Sequence, residues 1–327
     1  MTTPAIRAIR KNFPNAKITV LAKPWVEPIF YNNPDIDDII RYDNSGNHKG
    51  LSGKFRLSRE LKQKGFDLAV LLQNAIESAL LVFFAGIPSR LGHNTDRRGF
   101  LLTHSISLTP ADKKCHHIDY YLGMLKKACI EPDGKRLTLV ITDKEQEHAE
   151  NILKSYGISG QDNLVGINPS AAYGSAKRWC PGRYADLCVK LRKNCKATII
   201  IFGGPGDDAL GKQISEATGK HSINICGKTS LREAVALIEK CVLFITNDSG
   251  LMHAAAALDV PQIAIFGSTD HIATGPVNKK SHIIRADVPC SPCLKQECPT
   301  DHRCMKEITV DMVYETAKDI LQSHFID

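Results

Sequence analysis

Short β-branched runs alternate with stretches of helical period along almost all of the 327 residues, and that alternation points to parallel sheets with crossover helices. In the first half, KITVLA (17–22), DDIIRY (37–42) and DLAVLL (67–72) read as strands. AIESALLVFFAG (75–86) and HHIDYYLGMLKKACI (116–130) read as helices. TDKEQEHAENILKSYG (142–157) has the signature of a capped helix, with Thr142 three residues before Glu145 and Gly157 at its end. A second series follows, with strands expected at 164–168, 197–202, 222–226, 242–246 and 262–266.

The polar stretch GISGQDN (157–163) separates the two series, so a domain is expected over 1–158 and another over 163–308. The amphipathic segment 309–327 is expected to form a helix that packs back on the first domain. Two α/β units of this kind present a cleft at the carboxyl ends of their strands, where ligands of such folds bind.

Composition narrows the class. With 43% hydrophobic and 24% charged residues the chain is of the soluble globular type, and no apolar run approaches the roughly 20 residues of a membrane span. The start, MTTPAIRAIRKNFPNAK, lacks the apolar core of an export signal, so the cytoplasm is the expected compartment. Eleven cysteines then suggest reduced thiols more than a disulfide framework. A net charge of +7, with the pairs Arg97-Arg98, Lys113-Lys114 and Lys126-Lys127, suits an anionic partner or membrane surface; a solvated basic surface is the alternative, and no nucleic-acid partner is implied.

The chemistry is expected in the strand-to-helix loops. In FITNDSGLMHAAAALDVPQIAIFG (244–267) a strand runs into Asn-Asp-Ser-Gly before a small-residue helix. Asp248 or Ser249 is positioned to cap that helix, leaving N–H groups around Gly250 as an anion site, with His253 one turn further in. The alternative is a purely structural cap. The loop NPSAAYGSAKRW (168–179) adds Lys177 and Arg178, suited to a diphosphate or simply to solvent. FGGPGDDA (202–209) lacks the G-x-G-x-x-G spacing of a dinucleotide loop, which argues against a nicotinamide-dependent dehydrogenase; Asp207 or Asp208 could take ribose hydroxyls or cap a helix. CGKTSLREA (226–234) offers Lys228, Thr229 and Ser230 at another helix start.

SAKRW, the GDD after a glycine-rich strand end, TNDSGLMHAAAAL and the later CSPC with two further cysteines together resemble glycosyltransferase family 9. TTPAIRAIRKNFPNAKITVLAKPW and SALLVFFAGIPSRLG in the first half are similar to that family's segments, so the resemblance spans nearly the whole chain. It implies a GT-B fold of two Rossmann-like domains facing a cleft, with acceptor on the first and sugar nucleotide on the second. It also implies inverting, metal-independent transfer of heptose from ADP-L-glycero-D-manno-heptose to the lipid A-Kdo inner core, at the cytoplasmic face of the inner membrane. Carried over by motif, Lys177 meets the donor phosphates, Thr229 the adenosine side and Asp248 the heptose hydroxyls, with Ser249, Gly250 and His253 along the diphosphate. Lys177 and Asp248 are the expected catalytic residues. Arg178 and Asp207 complete the donor set, and Asn74, Arg97 and Arg98 are expected on the acceptor side.

The family pattern also places a strand and Gly-Asp ahead of TTPAIRAIR, the Asp being the general base. The chain as given starts inside the helix, so neither is expected in it, and an inactive nucleotide-sugar binding protein is the competing reading. Cys290, Cys293, Cys298 and Cys304 have the close spacing of a structural Zn²⁺ site, with unligated thiols or an adventitious disulfide as alternatives.

Overall fold

The computed structural model describes residues 1–158, 163–219 and 222–323, and the chain divides into two compact units, 1–138 and 139–327. The first contains α1 (Thr3–Asn12), β1 (Thr19–Ala22), β2 (Asp38–Arg41), α2 (Gly50–Lys64), β3 (Leu68–Leu71), α3 (Ile76–Phe84), β4 (Ser89–His93), β5 (His104–Ile106) and α4 (His117–Lys127). Its parallel strands form two ladders, β1-β2 and β3-β4-β5. Leu57 and Leu61 of α2 bury against Leu71 and against Ala79 and Val82 of α3, and Ser58 Oγ donates to the Leu81 carbonyl at 3.1 Å. Gly53 lets α2 form where it does, because a Cβ there would lie 2.3 Å from the His48 backbone.

The second unit runs α5 (Asp143–Ser155), β6 (Asn163–Asn168), α6 (Pro181–Cys195), β7 (Ala197–Ile201), α7 (Asp208–Thr218), β8 (Ser222–Asn224), α8 (Leu231–Glu239), β9 (Leu243–Asn247), α9 (Gly250–Ala257), β10 (Gln262–Phe266), α10 (His271–Thr274), β11 (Ser281–Arg285), α11 (Arg303–Lys306) and α12 (Val310–Ser323). All six strands are parallel, in the order β11-β10-β9-β6-β7-β8. That is the doubly wound order, and β9 and β10 are buried throughout, as a sheet covered on both faces requires. Among the described residues no helix is long and apolar enough to cross a membrane.

Two expectations change. The separating stretch at 157–163 falls partly outside the described residues, at 159–162, while by packing the chain divides before α5. Ala149 and Leu153 of α5 share a core with Leu237 and Ile238 of α8, so that helix belongs to the second unit. The C-terminal helix, expected on the first domain, packs in the second unit: Val313, Tyr314, Ala317 and Leu321 of α12 are part of the core around α6 and the second sheet. Its apolar stripe finds there the buried partners that its amphipathic pattern demands.

The expected cap of α5 is present and reinforced. Thr142 Oγ1 accepts from Glu145 N at 3.4 Å and Glu145 Oε2 accepts from Thr142 N at 2.9 Å. Arg232 of α8 grips the same carboxylate, Nε to Oε1 at 2.7 Å and Nη2 to Oε2 at 2.5 Å. Chiefly through Arg232, Glu145 is driven down to about 2. A carboxyl depressed on folding stabilises fully above its ordinary value of 4.5 and loses that contribution as pH falls toward 2. Glu145→Gln should therefore cost about 1–3 kcal/mol at neutral pH. Urea titrations of both proteins should show that difference shrinking below pH 4.5; a constant difference down to pH 2 would contradict the assignment.

Candidate active site

β6 and β9 are neighbours although β7 and β8 intervene in sequence, so strand order reverses between them and their carboxyl ends open a crevice. Asn168 ends β6 and Asn247 ends β9, both buried. Asn247 Oδ1 accepts from the Trp179 backbone N–H at 3.1 Å and from the Tyr184 hydroxyl at 3.0 Å, while its Nδ2 donates to the Pro169 carbonyl at 2.8 Å. Asn168 Nδ2 donates to Thr246 Oγ1 at 3.0 Å and to Ser249 Oγ at 2.8 Å. These amides fix the two loops to each other before any ligand arrives.

Ser249 is the cap of α9, its Oγ accepting from Met252 N at 3.4 Å. Asp248 is thereby freed from capping. Its buried carboxylate accepts at Oδ2 from Lys177 Nζ at 2.6 Å and from Thr269 Oγ1 at 2.7 Å. Lys177 Nζ also lies 4.8 Å from the centre of the Tyr173 ring, a cation–π contact. Lys177, Asp248 and Thr269 thus come from the loops after three adjacent strands, β6, β9 and β10. His253, half-buried, stands one turn inside α9.

The Lys177 loop is braced by the cysteine segment. Ala176 N donates to the Gln296 carbonyl at 3.0 Å, the Tyr173 hydroxyl donates to the Leu294 carbonyl at 3.1 Å, and His302 Nε2 lies 2.9 Å from the Ala176 carbonyl. Cys290, Cys293, Cys298 and Cys304 do not form the expected zinc site: among the described residues no group of three or more His, Cys, Asp or Glu is arranged to hold a metal ion. Cys304 is buried, and its thiol is pushed up to about 11 by that burial and then by its cysteine neighbours.

The remaining donor candidates divide. Arg178 donates to the Ala171 carbonyl at 3.4 Å and lines a cavity of about 610 Å³ with Arg183, Leu210 and Met305. Asp207 Oδ2 accepts from Gly204 N at 2.8 Å, the capping alternative, and its Oδ1 is 4.0 Å from Arg178. Asp208 is occupied by Lys212 at 2.7 Å and by Asn224 Nδ2 at 3.0 Å. Thr229 is half-buried beside Ser230, the cap of α8. Gly227 has φ +70°, and a Cβ there would sit 2.7 Å from Pro205 Cα, which brings the loops after β7 and β8 together.

In the first unit, Asn74 and Arg97 are exposed, Asn74 Oδ1 accepting from the Tyr120 hydroxyl at 2.9 Å. Arg98 is corrected. It is fully buried, with Nε donating to the His93 carbonyl at 2.9 Å and Nη1 to the Ala75 carbonyl at 3.2 Å, to Ser78 Oγ at 2.9 Å and to the Gln73 carbonyl. It ties the β3–α3 loop to the turn after β4, which removes it from an acceptor surface. The residue after β2 and the starts of α2 and α3 hold a cluster that sequence reading missed: the Tyr42 hydroxyl donates to Glu77, whose other oxygen accepts from Lys54 Nζ at 2.6 Å. Burial, then Glu77, pushes Tyr42 up to about 12. In the second unit Tyr173, Thr269 and Asn247 were likewise missed. Asn247 alone had a visible signal, a polar residue ending an apolar strand.

A family profile described as glycosyltransferase family 9 (heptosyltransferase) matches residues 54–303. The chain belongs to glycosyltransferase family 9. It is 31% identical to the lipooligosaccharide heptosyltransferase 2 of Haemophilus influenzae, over 85% of this chain and 82% of that protein. It is 29% identical to the lipopolysaccharide heptosyltransferase 2 of Salmonella typhimurium, over 98% and 94%. The solved ADP-heptose LPS heptosyltransferase II of E. coli superposes with a TM-score of 0.82 at 27% identity, covering 99% of this chain and 95% of that one. This family 9 chain is accordingly a glycosyltransferase of α/β, GT-B type.

Asn247→Ala would leave the Trp179 N–H and the Pro169 carbonyl unpaired, each costing ~1–3 kcal/mol, and would leave the Tyr184 hydroxyl only its 3.5 Å bond to the Asn168 carbonyl. Urea unfolding should register a loss of at least about 2 kcal/mol. A loss too small to measure would show that Asn247 does not hold the crevice.

Proposed function

We propose that this family 9 enzyme transfers a heptose from ADP-L-glycero-D-manno-heptose to the inner core of lipopolysaccharide, with inversion and without a metal ion in the chemical step. The observation that carries the reading is Lys177 Nζ held 2.6 Å from Asp248 at the β6–β9 crevice, beside the capped start of α9. The similar heptosyltransferases, named for ADP-heptose and for lipopolysaccharide, support the choice of sugar, nucleotide and acceptor.

In the reaction an acceptor hydroxyl attacks the anomeric carbon from the face opposite the diphosphate. The new C–O bond forms as the bond to the diphosphate breaks, the hydroxyl proton passes to a base, and ADP leaves with the electron pair. Charge therefore grows on the diphosphate. Lys177 moves from Asp248 to that group, and the N–H groups around Ser249 and Gly250, with His253 behind them, receive it. Asp248, still held by Thr269, turns to a heptose hydroxyl. Thr229 serves the adenosine side; Arg178 and Asp207 are peripheral contributors, since their groups already have partners. Asn74 and Arg97 take the acceptor, and the lipid-linked substrate sets the site of action at the cytoplasmic face of the inner membrane.

Lys177→Ala should lower kcat/KM for ADP-heptose by about 10²–10³-fold, the size seen when one transition-state donor is lost. The assay follows ADP release with a de-acylated inner-core saccharide as acceptor. Undiminished turnover by the variant would remove Lys177 from the chemistry. ADP-heptose binding without transfer in the unaltered protein would reduce the proposal to donor recognition.

A further inference from the structure

Leu51 and Phe55 lie one turn apart on α2 and are 77% and 58% exposed, while Phe84 and Phe83 at the end of α3 are 53% and 44% exposed. They form one surface. The Phe55 and Phe84 rings are 5.5 Å apart and the Phe84 and Phe83 rings 5.7 Å apart. The Phe83 ring carries the Arg90 guanidinium at 5.4 Å. The inner faces of both helices are already committed to the core through Leu57, Leu61, Ala79 and Val82, so the aromatic patch is surplus to the packing of the unit.

Charge surrounds it. Residues 49–64 contain Lys49, Lys54, Arg56, Arg59, Lys62 and Lys64 against one acid, Glu60. The outward stripe of α2 continues from Leu51 and Phe55 into Arg59 and Lys62, all exposed. An apolar cluster with cations on the same helix face is the pattern of a helix lying in a membrane interface, where rings enter the acyl boundary and cations meet lipid phosphates. A second copy of the chain fits less well, because a two-fold contact would set the basic stripe against its own image.

We infer that the surface formed by α2 and the end of α3 docks on an anionic lipid bilayer, with Leu51, Phe55, Phe83 and Phe84 inserted and Arg56, Arg59 and Lys62 against the headgroups. This deepens the proposed function and rests on it, since a glycolipid acceptor is presented at such a surface. The docking also orients the enzyme, because the patch is rigid: Ser58 and the shared core lock α2 to α3.

The test is flotation with phosphatidylcholine vesicles, with and without phosphatidylglycerol. The proteins are the unaltered chain, a Leu51→Ser/Phe55→Ser/Phe84→Ser variant and an Arg56→Glu/Arg59→Glu variant. Circular dichroism melts check that each folds. The unaltered chain should float with anionic vesicles and release at high salt, and each variant should partition about tenfold less. Transfer to the soluble de-acylated acceptor should stay unchanged in both variants, whereas transfer to acceptor embedded in vesicles should fall. Failure of the unaltered chain to float, or equal flotation of folded variants, would overturn the inference and leave the proposed reaction standing. Flotation without transfer to either acceptor would sink the reaction and leave the surface. A dimer in sedimentation velocity that the apolar variant dissolves, with no vesicle binding, would assign the patch to a second copy.

Discussion

The second unit depends on one buried side chain at the end of a strand. Asn247 offers both an acceptor and a donor in a place without water, and it spends them on Trp179, Tyr184 and Pro169. Those three belong to the chain that leaves β6, so the amide converts two independent loops into one rigid edge. Trp179 then packs edge-on to Tyr184 with ring centres 5.0 Å apart, and its indole N–H donates to the Ile308 carbonyl at 2.9 Å. The approach to α12 is anchored by the same node. A buried polar group this well satisfied specifies a unique arrangement, because every alternative strands several partners.

On that edge sits a cation that would otherwise be free to wander. Lys177 is restrained by Asp248 on one side and by the Tyr173 ring on another, and its loop is held by three contacts with the segment 294–302. The restraint keeps the ammonium at the crevice, paired with the carboxylate that neutralises it. The cysteine segment gains a role that needs no metal: the Leu294 and Gln296 carbonyls and the His302 ring brace the loop.

Much of the architecture was legible from the pattern of the chain. The strand at Gln262–Phe266 has the expected limits, three other expected strands of the second sheet differ by one or two residues at one end, and β9 is shifted by one residue at both, because apolar runs buried on both faces leave a strong local signal. β4, SRLGH, is the opposite case: it has no β-branched residue, and its strand form comes from pairing with β3 and β5. β5 is three residues long and β11 lies at an edge, so neither offered a run to read. α2 was hidden by its glycines, one of which is required by close approach to His48.

The sequence by itself determined the α/β class, the loop residues Lys177, Asp248 and Ser249, and the family, since these rest on local periodicity and on contiguous motifs. Only the tertiary structure decided which partners each residue meets. Asp248 and Ser249 are adjacent and both able to cap a helix, and the choice between them turns on Lys177 and Thr269 arriving from other strands. Arg98 looks like a surface cation beside Arg97 until the loop after β3 closes over it. α12 had an apolar stripe but no address. Local sequence sets what a segment is able to form, whereas partners distant along the chain appear only when packing brings them within hydrogen-bond reach.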